Sequence, residues 1–230
     1  MKELSLSQID KAMQNNVWHF GNEILYNMCK ENFVHKKDEH ILAKILFIGR
    51  IYAAAIERRK TKNNDINDNF YIDTVAPKFK ESHIDEHLTH LKSFESLEIE
   101  NLKFVLETHY YLTKVINEIT ELNKRSLVSK YLHFHLPELF FIYDTRAVEA
   151  LRNFKSKVPT NLKHLTKLEN VDFEYAKFFC KCYALKNEIK QKFHSNFSNR
   201  HLDNLLIEDA NSKNSEKRKN VSPACATVRS

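Results

Sequence analysis

Glycine is almost absent from this chain, and its scarcity limits the folds that are open to it. The 230 residues contain only Gly21 and Gly49, together with four prolines. Phosphate-binding loops of the P-loop and dinucleotide-binding kinds depend on closely spaced glycines, so both are excluded. A sheet with many tight turns also draws on glycine at those turns. The sequence therefore predicts an all-α fold whose helices are joined by short polar connections.

The remaining composition describes an ordinary globular chain. No apolar run approaches the ~18 residues that a membrane span requires, and the first ten residues, MKELSLSQID, contain no signal-peptide core. We therefore expect a cytoplasmic protein with no membrane contact. The four cysteines form no CxxC pair, so we predict neither a zinc site nor a disulfide framework.

The charge is concentrated at the end of the chain. The net charge is +6, and the residues from Asn211 onward carry +4 of it through five cations and one anion. This segment is polar and lacks aromatic residues, which is typical of disorder. We predict one all-α domain over residues 1–210 and a disordered polar and basic tail over residues 211–230. No obligate protein partner is evident, and the weakly basic domain permits nucleic-acid binding through a local patch.

Hydrophobic spacing and capping residues predict a series of helices. In the first one, Val17, Phe20, Ile24 and Met28 are predicted to face the core. The segment Phe70–Phe79 is predicted to be irregular because Pro77 interrupts it. The predicted helices cover about residues 5–32, 38–60, 83–96, 100–124, 126–136, 145–152, a short piece near 162, 172–193 and 199–207, with a polar loop over 61–69.

The segment from Ser126 to Arg152, SLVSKYLHFHLPELFFIYDTRAVEALR, contains the clearest local signals. Pro137 lacks an N–H group and disfavours helix at the residue before it, so a helix should end near Leu136. The apolar run 139–143 is too short for a helix and suits a buried extended segment. Asp144 then stands at the N-cap position of a second helix. The segment thus carries Lys130 before a break and Asp144 after it.

Each of these two residues has an ordinary interpretation and a functional one. Lys130 lies within an apolar stripe, where it either extends its ammonium to water or faces a dry pocket that favours the neutral, nucleophilic amine. Asp144 either caps a helix only or also faces a cleft. His133 and His135 point to nearly opposite sides of a helix and make a poor metal pair, so no metal is expected. Further candidates for substrate or DNA binding are Arg146, Tyr143, His133, His135, Arg50 and Arg125.

The motif Ser129-Lys130, followed by Phe140-Phe141-Ile142-Tyr143-Asp144-Thr145-Arg146-Ala147-Val148, resembles the core of helix-hairpin-helix DNA glycosylases, particularly the small 8-oxoguanine-glycosylase-like group. The segments 20–26 and 48–54 are also similar to bacterial proteins of this group, some of which excise modified bases from phage DNA. The hairpin of that superfamily is rich in glycine, whereas this chain has no glycine after Gly49. The resemblance therefore depends on the lysine and aspartate motifs.

The resemblance implies a single-domain, multi-helix glycosylase-like fold that acts on double-stranded DNA with a damaged or modified base and needs no cofactor. Asp144 and Lys130 would be the catalytic residues, and the product would be an abasic site. Two alternatives stay open, a non-catalytic helical nucleic-acid-binding protein and a protein-interaction module. Helical ribonucleases are disfavoured, because no arginine is followed by a histidine four to six residues later. A basic cleft shared by Lys130 and Asp144 would distinguish the glycosylase from both alternatives.

Overall fold

The computed structural model describes the backbone of residues 2–60 and 69–221, with side chains up to residue 213. These residues form ten α-helices and no β-strand, which confirms the predicted all-α fold. No helix among them is both long and apolar enough to cross a membrane. The helices are α1 (Leu6–Met13), α2 (His19–Glu31), α3 (Asp38–Ile51), α4 (Ala76–Glu81), α5 (Ile84–Leu91), α6 (Leu102–Thr120), α7 (Arg125–His135), α8 (Thr145–Phe154), α9 (Phe173–Phe193) and α10 (Asn199–Val221), with a π-helical turn at Phe70–Val75 and a 3₁₀ segment at Thr160–Lys167.

Helix α7 is the central element of the fold. Every residue from Leu127 to His135 is buried, and the helix packs against α2, α3 and α6. A helix that is buried on all sides must satisfy each of its polar side chains internally. The polar residues Ser129, Lys130, His133 and His135 all make hydrogen bonds within the protein. Lys130 is therefore held on a helix that lies within the core.

Helix α10 crosses the outside of this core and packs against α1 and α8. Leu202, Leu205 and Leu206 form its buried face. The helix continues to Val221, beyond residue 211 at which the sequence predicts the basic tail to begin. Residues 222–230, the end of that predicted tail, lie outside the described residues.

The predicted first helix is two helices, and its predicted core face was wrong. The chain leaves the helix at Gln14, which is extended, and the Asn16 side chain accepts a hydrogen bond from the Trp18 N–H at 2.9 Å. Asparagine competes for backbone bonds in this way and favours turns over helix interiors. Helix α2 then buries Asn22, Leu25 and Cys29. The residues left exposed, contrary to the prediction, include Val17, Phe20 and Ile24.

The predicted second helix also ends early, at Ile51 rather than near Lys60. Ala53 adopts a left-handed conformation with φ of 51°, and the Ala54 N–H donates to the Gly49 carbonyl at 2.9 Å. This is a Schellman-type helix end, with alanine at the position that usually holds glycine. The chain then turns back over Gly49, where an added Cβ would lie 3.3 Å from the Cα of Ala55. Gly49 thus permits the close return that places Tyr52 and Ala53 beside α7.

The segment predicted to be irregular around Pro77 is helical instead. The π-helical turn Phe70–Val75 leads directly into α4, and Pro77 lies in the first turn of that helix. Proline is tolerated there because the first N–H groups of a helix have no intrahelical partner. Residues 61–68 of the predicted polar loop lie outside the described residues.

Candidate active site

The segment between α7 and α8 returns the chain through the core, and side chains satisfy its backbone. The helix ends at His135 with Leu136 as its C-cap, as Pro137 predicts, and residues Leu139 to Ile142 are buried. Four side chains bond to this segment. His133 Nδ1 donates to the Phe140 carbonyl, Tyr175 to the Phe141 carbonyl, Asn199 to the Pro137 carbonyl, and Ser129 Oγ accepts from the Tyr143 N–H, at 2.8–3.0 Å. These bonds fix the point at which Asp144 emerges from the core.

Asp144 is the N-cap of α8, as the sequence predicts. Its backbone is extended, and one carboxylate oxygen accepts a hydrogen bond from the Arg146 N–H at 3.0 Å. The other oxygen, Oδ2, lies 3.5 Å from Nζ of Lys130. The carboxylate therefore satisfies the helix end with one oxygen and faces the lysine with the other.

Lys130 is almost completely enclosed, with 4% of its side chain exposed. Its ammonium donates to Ser126 Oγ at 2.7 Å and lies 3.5 Å from the Tyr52 carbonyl oxygen. The nitrogen also lies 6.0 Å from the centroid of the Tyr52 ring. Three separate parts of the chain, α7, the turn after α3 and the start of α8, thus meet at this amine.

The two groups influence each other's ionisation. Burial lowers the pKa of Lys130 below its ordinary value, because a charged ammonium is poorly solvated there, and the charges of Asp144 and Asp203 only partly oppose this effect. Burial also acts to raise the pKa of Asp144, but the Lys130 charge and the Arg146 N–H outweigh it, so the carboxyl has a pKa below its usual range. At neutral pH the site therefore holds an ionised carboxylate beside a lysine that is easier to deprotonate than a free one.

Both residues open into a cleft of about 770 Å³, which we call the α10 cleft because α10 forms one wall. The other walls are the end of α1, the connection to α2, the turn at Tyr52 and Ala53, and the start of α8. This size is within the range of small-molecule and cofactor sites. The charged groups that line the α10 cleft are Lys11, Lys130, Asp144, Arg146, Arg200, Asp203 and Glu208, and its apolar and amide residues include Val17, Trp18, Ile51, Ile142, Asn16, Asn22 and Asn204.

Two residues of this cleft, Arg200 and Asp203, are not among the candidates that the sequence yields. Arg200 Nε donates to the hydroxyl of Tyr26 at 2.9 Å, and Nη1 donates to Asp203 Oδ2 at 3.2 Å. The guanidinium also lies 5.3 Å from the Phe134 ring. The sequence shows only that Arg200 and Asp203 are spaced i, i+3 beside the apolar face of a predicted helix. That spacing is common on solvated helices, so it does not indicate a site.

The predicted aromatic and histidine candidates lie outside the α10 cleft. Tyr143 packs against Phe178, with ring centroids 5.2 Å apart. His133 is fully buried and accepts from the Tyr26 hydroxyl at 2.8 Å, and Arg200, which lines the cleft, donates to the same hydroxyl. His135 lines a separate cavity of about 380 Å³ next to the first. Burial lowers the pKa of both imidazoles, which keeps them neutral.

Of the three arginines predicted to bind substrate or DNA, Arg146 lines the cleft and the other two do not. Its side chain is half exposed, and Nε lies 3.5 Å from Asp144 Oδ1. Arg50 is exposed and pairs with Glu57 at 3.3 Å. Arg125 donates through Nε to both carboxylate oxygens of Asp172, the N-cap of α9, at 2.6 and 2.7 Å. The structure thus places Arg50 and Arg125 in ion pairs elsewhere on the protein.

The described residues contain no group of three or more His, Cys, Asp or Glu that is placed to hold a metal ion. Three cysteines, Cys29, Cys180 and Cys182, are buried thiols without a disulfide. Comparison with known proteins gives no relative: no protein-family model, no curated protein and no solved structure matches the chain.

Proposed function

We propose that this protein is a cytoplasmic DNA glycosylase that flips a damaged or modified base out of the duplex and cleaves its N-glycosidic bond. One observation carries the proposal: Lys130 and Asp144 lie 3.5 Å apart and open into one cleft together with Lys11, Arg146 and Arg200. The resemblance of the lysine and aspartate motifs to helix-hairpin-helix glycosylases points to the same chemistry. A capping role alone for Asp144 does not require a buried lysine beside it.

The carboxylate of Asp144 is suited to the charge that develops in this reaction. As the bond between C1′ and the base nitrogen breaks, positive charge builds up on the sugar. An ionised carboxylate held in a partly water-excluded site stabilises that charge more than one in bulk water does. The N-terminal N–H of α8 fixes its position, so no reorganisation is needed during the reaction. The same group can orient the attacking water molecule.

Lys130 supports the reaction in one of two ways. As a cation, it keeps Asp144 ionised and in place. As a free amine, it attacks C1′ and forms a Schiff base with the opened sugar after the base has left. Borohydride reduction during turnover separates the two roles, because it traps a covalent adduct only when the amine has added to the sugar. Lys130→Met provides the matched control, since methionine fills similar space without an amine.

The surroundings of the α10 cleft are suited to a DNA duplex. Arg146 lies at its edge, and a shallow depression lined by Lys2, Arg152 and Lys213 borders the same two helices, α8 and α10. Such cations bind phosphates without reading sequence. Val17 and Trp18 line the cleft, yet they are 90% and 61% exposed. Exposed apolar and aromatic side chains at a cleft mouth can stack on bases and fill the space that a flipped base vacates.

The proposal is tested by base release from defined duplexes. The panel would carry 8-oxoguanine, uracil, 7-methylguanine, other alkylated purines, and hydroxymethylated or glucosylated cytosine. We expect abasic sites and the free base from one class of duplex with the wild-type protein. Duplex binding without base release on any member of the panel would contradict the proposal and favour a non-catalytic binding protein. Absence of both binding and release would favour a protein-interaction module.

A further inference from the structure

Asp203 is a second carboxyl group in the α10 cleft, and the sequence candidates do not include it. It projects from α10 on the wall that also carries Arg200 and Asn204. Only 12% of its side chain is exposed, compared with 24% for Asp144. The cleft therefore holds Asp144 at a helix start and Asp203 on a helix side, in addition to Glu208, which pairs with Lys11.

The hydrogen bonding of Asp203 is incomplete. Oδ2 accepts from Arg200 Nη1, but Oδ1 is buried and has no hydrogen-bond partner among the described residues. The adjacent Nη2 of Arg200 is also buried, and within the described part of the chain it has no partner either. Buried polar atoms are rarely left unpaired in folded proteins, because each one has lost its hydrogen bonds to water without gaining a partner. Two such atoms on neighbouring side chains in a cleft are typical of a site that is completed by a ligand.

We propose that Asp203 is the general acid of the reaction and protonates the departing base, while Asp144 acts on the sugar. This inference rests on the proposed glycosylase function and adds the residue that activates the leaving group. A proton donor speeds the reaction because an uncharged base that gains no proton must leave as an anion, and that departure is slow. Glycoside hydrolases, which cleave the bonds of sugar chains, commonly divide the reaction between two carboxyl groups in this way.

The pKa values of Asp203 and Asp144 are shifted in opposite directions, as a proton donor and an ionised carboxylate require. Burial raises the pKa of Asp203 above its ordinary value, and the negative charge of Asp144 raises it further, although Arg200 and Lys130 act in the opposite direction. The pKa of Asp144 is lowered. Two nearby acids whose environments shift their pKa values in opposite directions are suited to act as proton donor and as carboxylate.

Charged and titratable groups act on Asp203 from every neighbouring element. The cations Arg200, Lys130 and Arg146 favour its ionised form, whereas Asp144 disfavours it. The phenols of Tyr26 and Tyr52 and the thiol of Cys182 also interact with it, and all three are neutral at pH 7 because burial raises their pKa values. Lys11 and Glu208 line the same cleft and pair with each other.

The reaction balances with water as the only co-substrate. The C1′–N bond breaks, and its electron pair goes to the base nitrogen. The Asp203 carboxyl gives its proton to the departing base. Water adds to C1′ and loses a proton to Asp144. The products are the neutral base and an abasic sugar, and solvent returns a proton to Asp203 as Asp144 releases one.

The test is single-turnover base release by Asp203→Asn as a function of pH, on a duplex that the wild-type protein cleaves. Asparagine keeps the shape but donates no acidic proton. We expect a rate about 10²–10⁴-fold lower, the usual range for loss of a general acid, and loss of the alkaline decline of the wild-type profile. If 7-methylguanine is a substrate, its release should fall far less, because this base leaves as a neutral molecule without gaining a proton. Asp73→Asn, at an exposed position outside the cleft, is the matched control.

The outcomes separate this inference from the proposed function. A wild-type rate and an unchanged pH profile for Asp203→Asn overturn the inference and leave the glycosylase proposal intact. So does an equal loss on neutral bases and on 7-methylguanine, since it shows a structural role. If Asp203→Asn fails to fold, Asp203→Glu decides: a displaced alkaline decline supports the inference, and an unmoved one overturns it. No base release by the wild-type protein from any duplex overturns both proposals.

Discussion

Asp144 meets two demands with one side chain. Its Oδ1 caps α8 through the Arg146 N–H, and its Oδ2 faces Lys130. The first role could be predicted from the sequence, because aspartate is a preferred N-cap residue at the start of a helix. The second role depends on where α7 lies relative to α8, and the sequence left it open. Each carboxylate oxygen has its own partner, so Asp144 can cap α8 and face the cleft at the same time.

Lys44 is a second buried lysine, and it lies away from the α10 cleft. It is fully buried on α3, donating to the Asn32 carbonyl at 2.8 Å and lying 3.1 Å from Nε2 of the neutral His135. Burial lowers its pKa from 10.5 to about 8. No carboxylate contacts this ammonium directly among the described residues. The charged form is therefore costly in the folded protein.

This cost predicts a specific pH dependence of stability. Between about pH 8 and 10.5 the unfolded chain holds more protons at Lys44 than the folded protein does, so the contribution of Lys44 to the free energy of unfolding rises with pH. The destabilisation caused by the buried, charged ammonium is complete below about pH 8 and absent above about pH 10.5. A shift of this size corresponds to about 3 kcal/mol. Urea unfolding should be measured for the wild type and for Lys44→Met across this pH range. The free energy of unfolding of the wild type should rise, relative to that of the variant, by about this amount.

Parallel pH profiles for the two proteins would contradict this account of Lys44. Lys186→Met provides a control lysine, which is also partly buried but lies 3.9 Å from the Glu138 carboxylate. The nearby negative charge opposes the effect of burial. Its removal should change the pH dependence less than removal of Lys44.

At the scale of elements, local signals predicted some boundaries and missed others. Pro137 correctly marked the end of α7, and Asp144 and Asp172 correctly marked helix starts, because each acts on the backbone within a few residues. Pro77 misled, since proline in the first turn of a helix looks the same in sequence as proline that breaks one. The phase of α2 was also mispredicted. The burial of Asn22 and Cys29 follows from packing against α7, which the sequence does not reveal.

The end of α3 gives a test at this scale. Ala53 has a positive φ, which costs a residue with a Cβ about 1 kcal/mol relative to glycine. We expect Ala53→Gly to raise the free energy of unfolding by up to about 1 kcal/mol, less the greater entropy of glycine in the unfolded chain. Ala55→Gly, two residues later and without a positive φ, should lower it. Thermal unfolding of both variants measures the difference, and equal destabilisation would refute the assigned helix end.

At the scale of the whole molecule, the α10 cleft is assembled from segments that are far apart in sequence. Lys130 and Asp144 come from neighbouring helices, so a single sequence motif pointed to both. Arg200 and Asp203 come from α10, and Trp18 comes from the connection before α2. Only the packing of α10 against α1 and α8 brings these groups together. Half of the candidate site was therefore beyond the reach of local sequence patterns.

The placement of cations predicts how DNA affinity should respond to salt. Arg146 lines the cleft and Arg152 lines the depression, whereas Arg50 pairs with Glu57 and lines neither. The logarithm of affinity should fall linearly with the logarithm of salt concentration. Arg146→Gln and Arg152→Gln should each reduce that slope by about 1, and Arg50→Gln should leave it unchanged. Fluorescence anisotropy with a labelled duplex would measure all three. An equal change for Arg50→Gln would refute the proposed DNA-binding face.

The single-turnover rate of base release by Asp144→Asn shows whether the Asp144 carboxylate takes part in the reaction. Asparagine caps a helix about as well as aspartate, so the variant removes the negative charge while keeping the N-cap. On a duplex that the wild-type protein cleaves, we predict a rate at least ~10²-fold lower, in line with the loss of one electrostatic stabiliser of a transition state. Circular dichroism and duplex affinity should remain close to those of the wild type. Base release at the wild-type rate would contradict the claim that Asp144 and Lys130 form the active site.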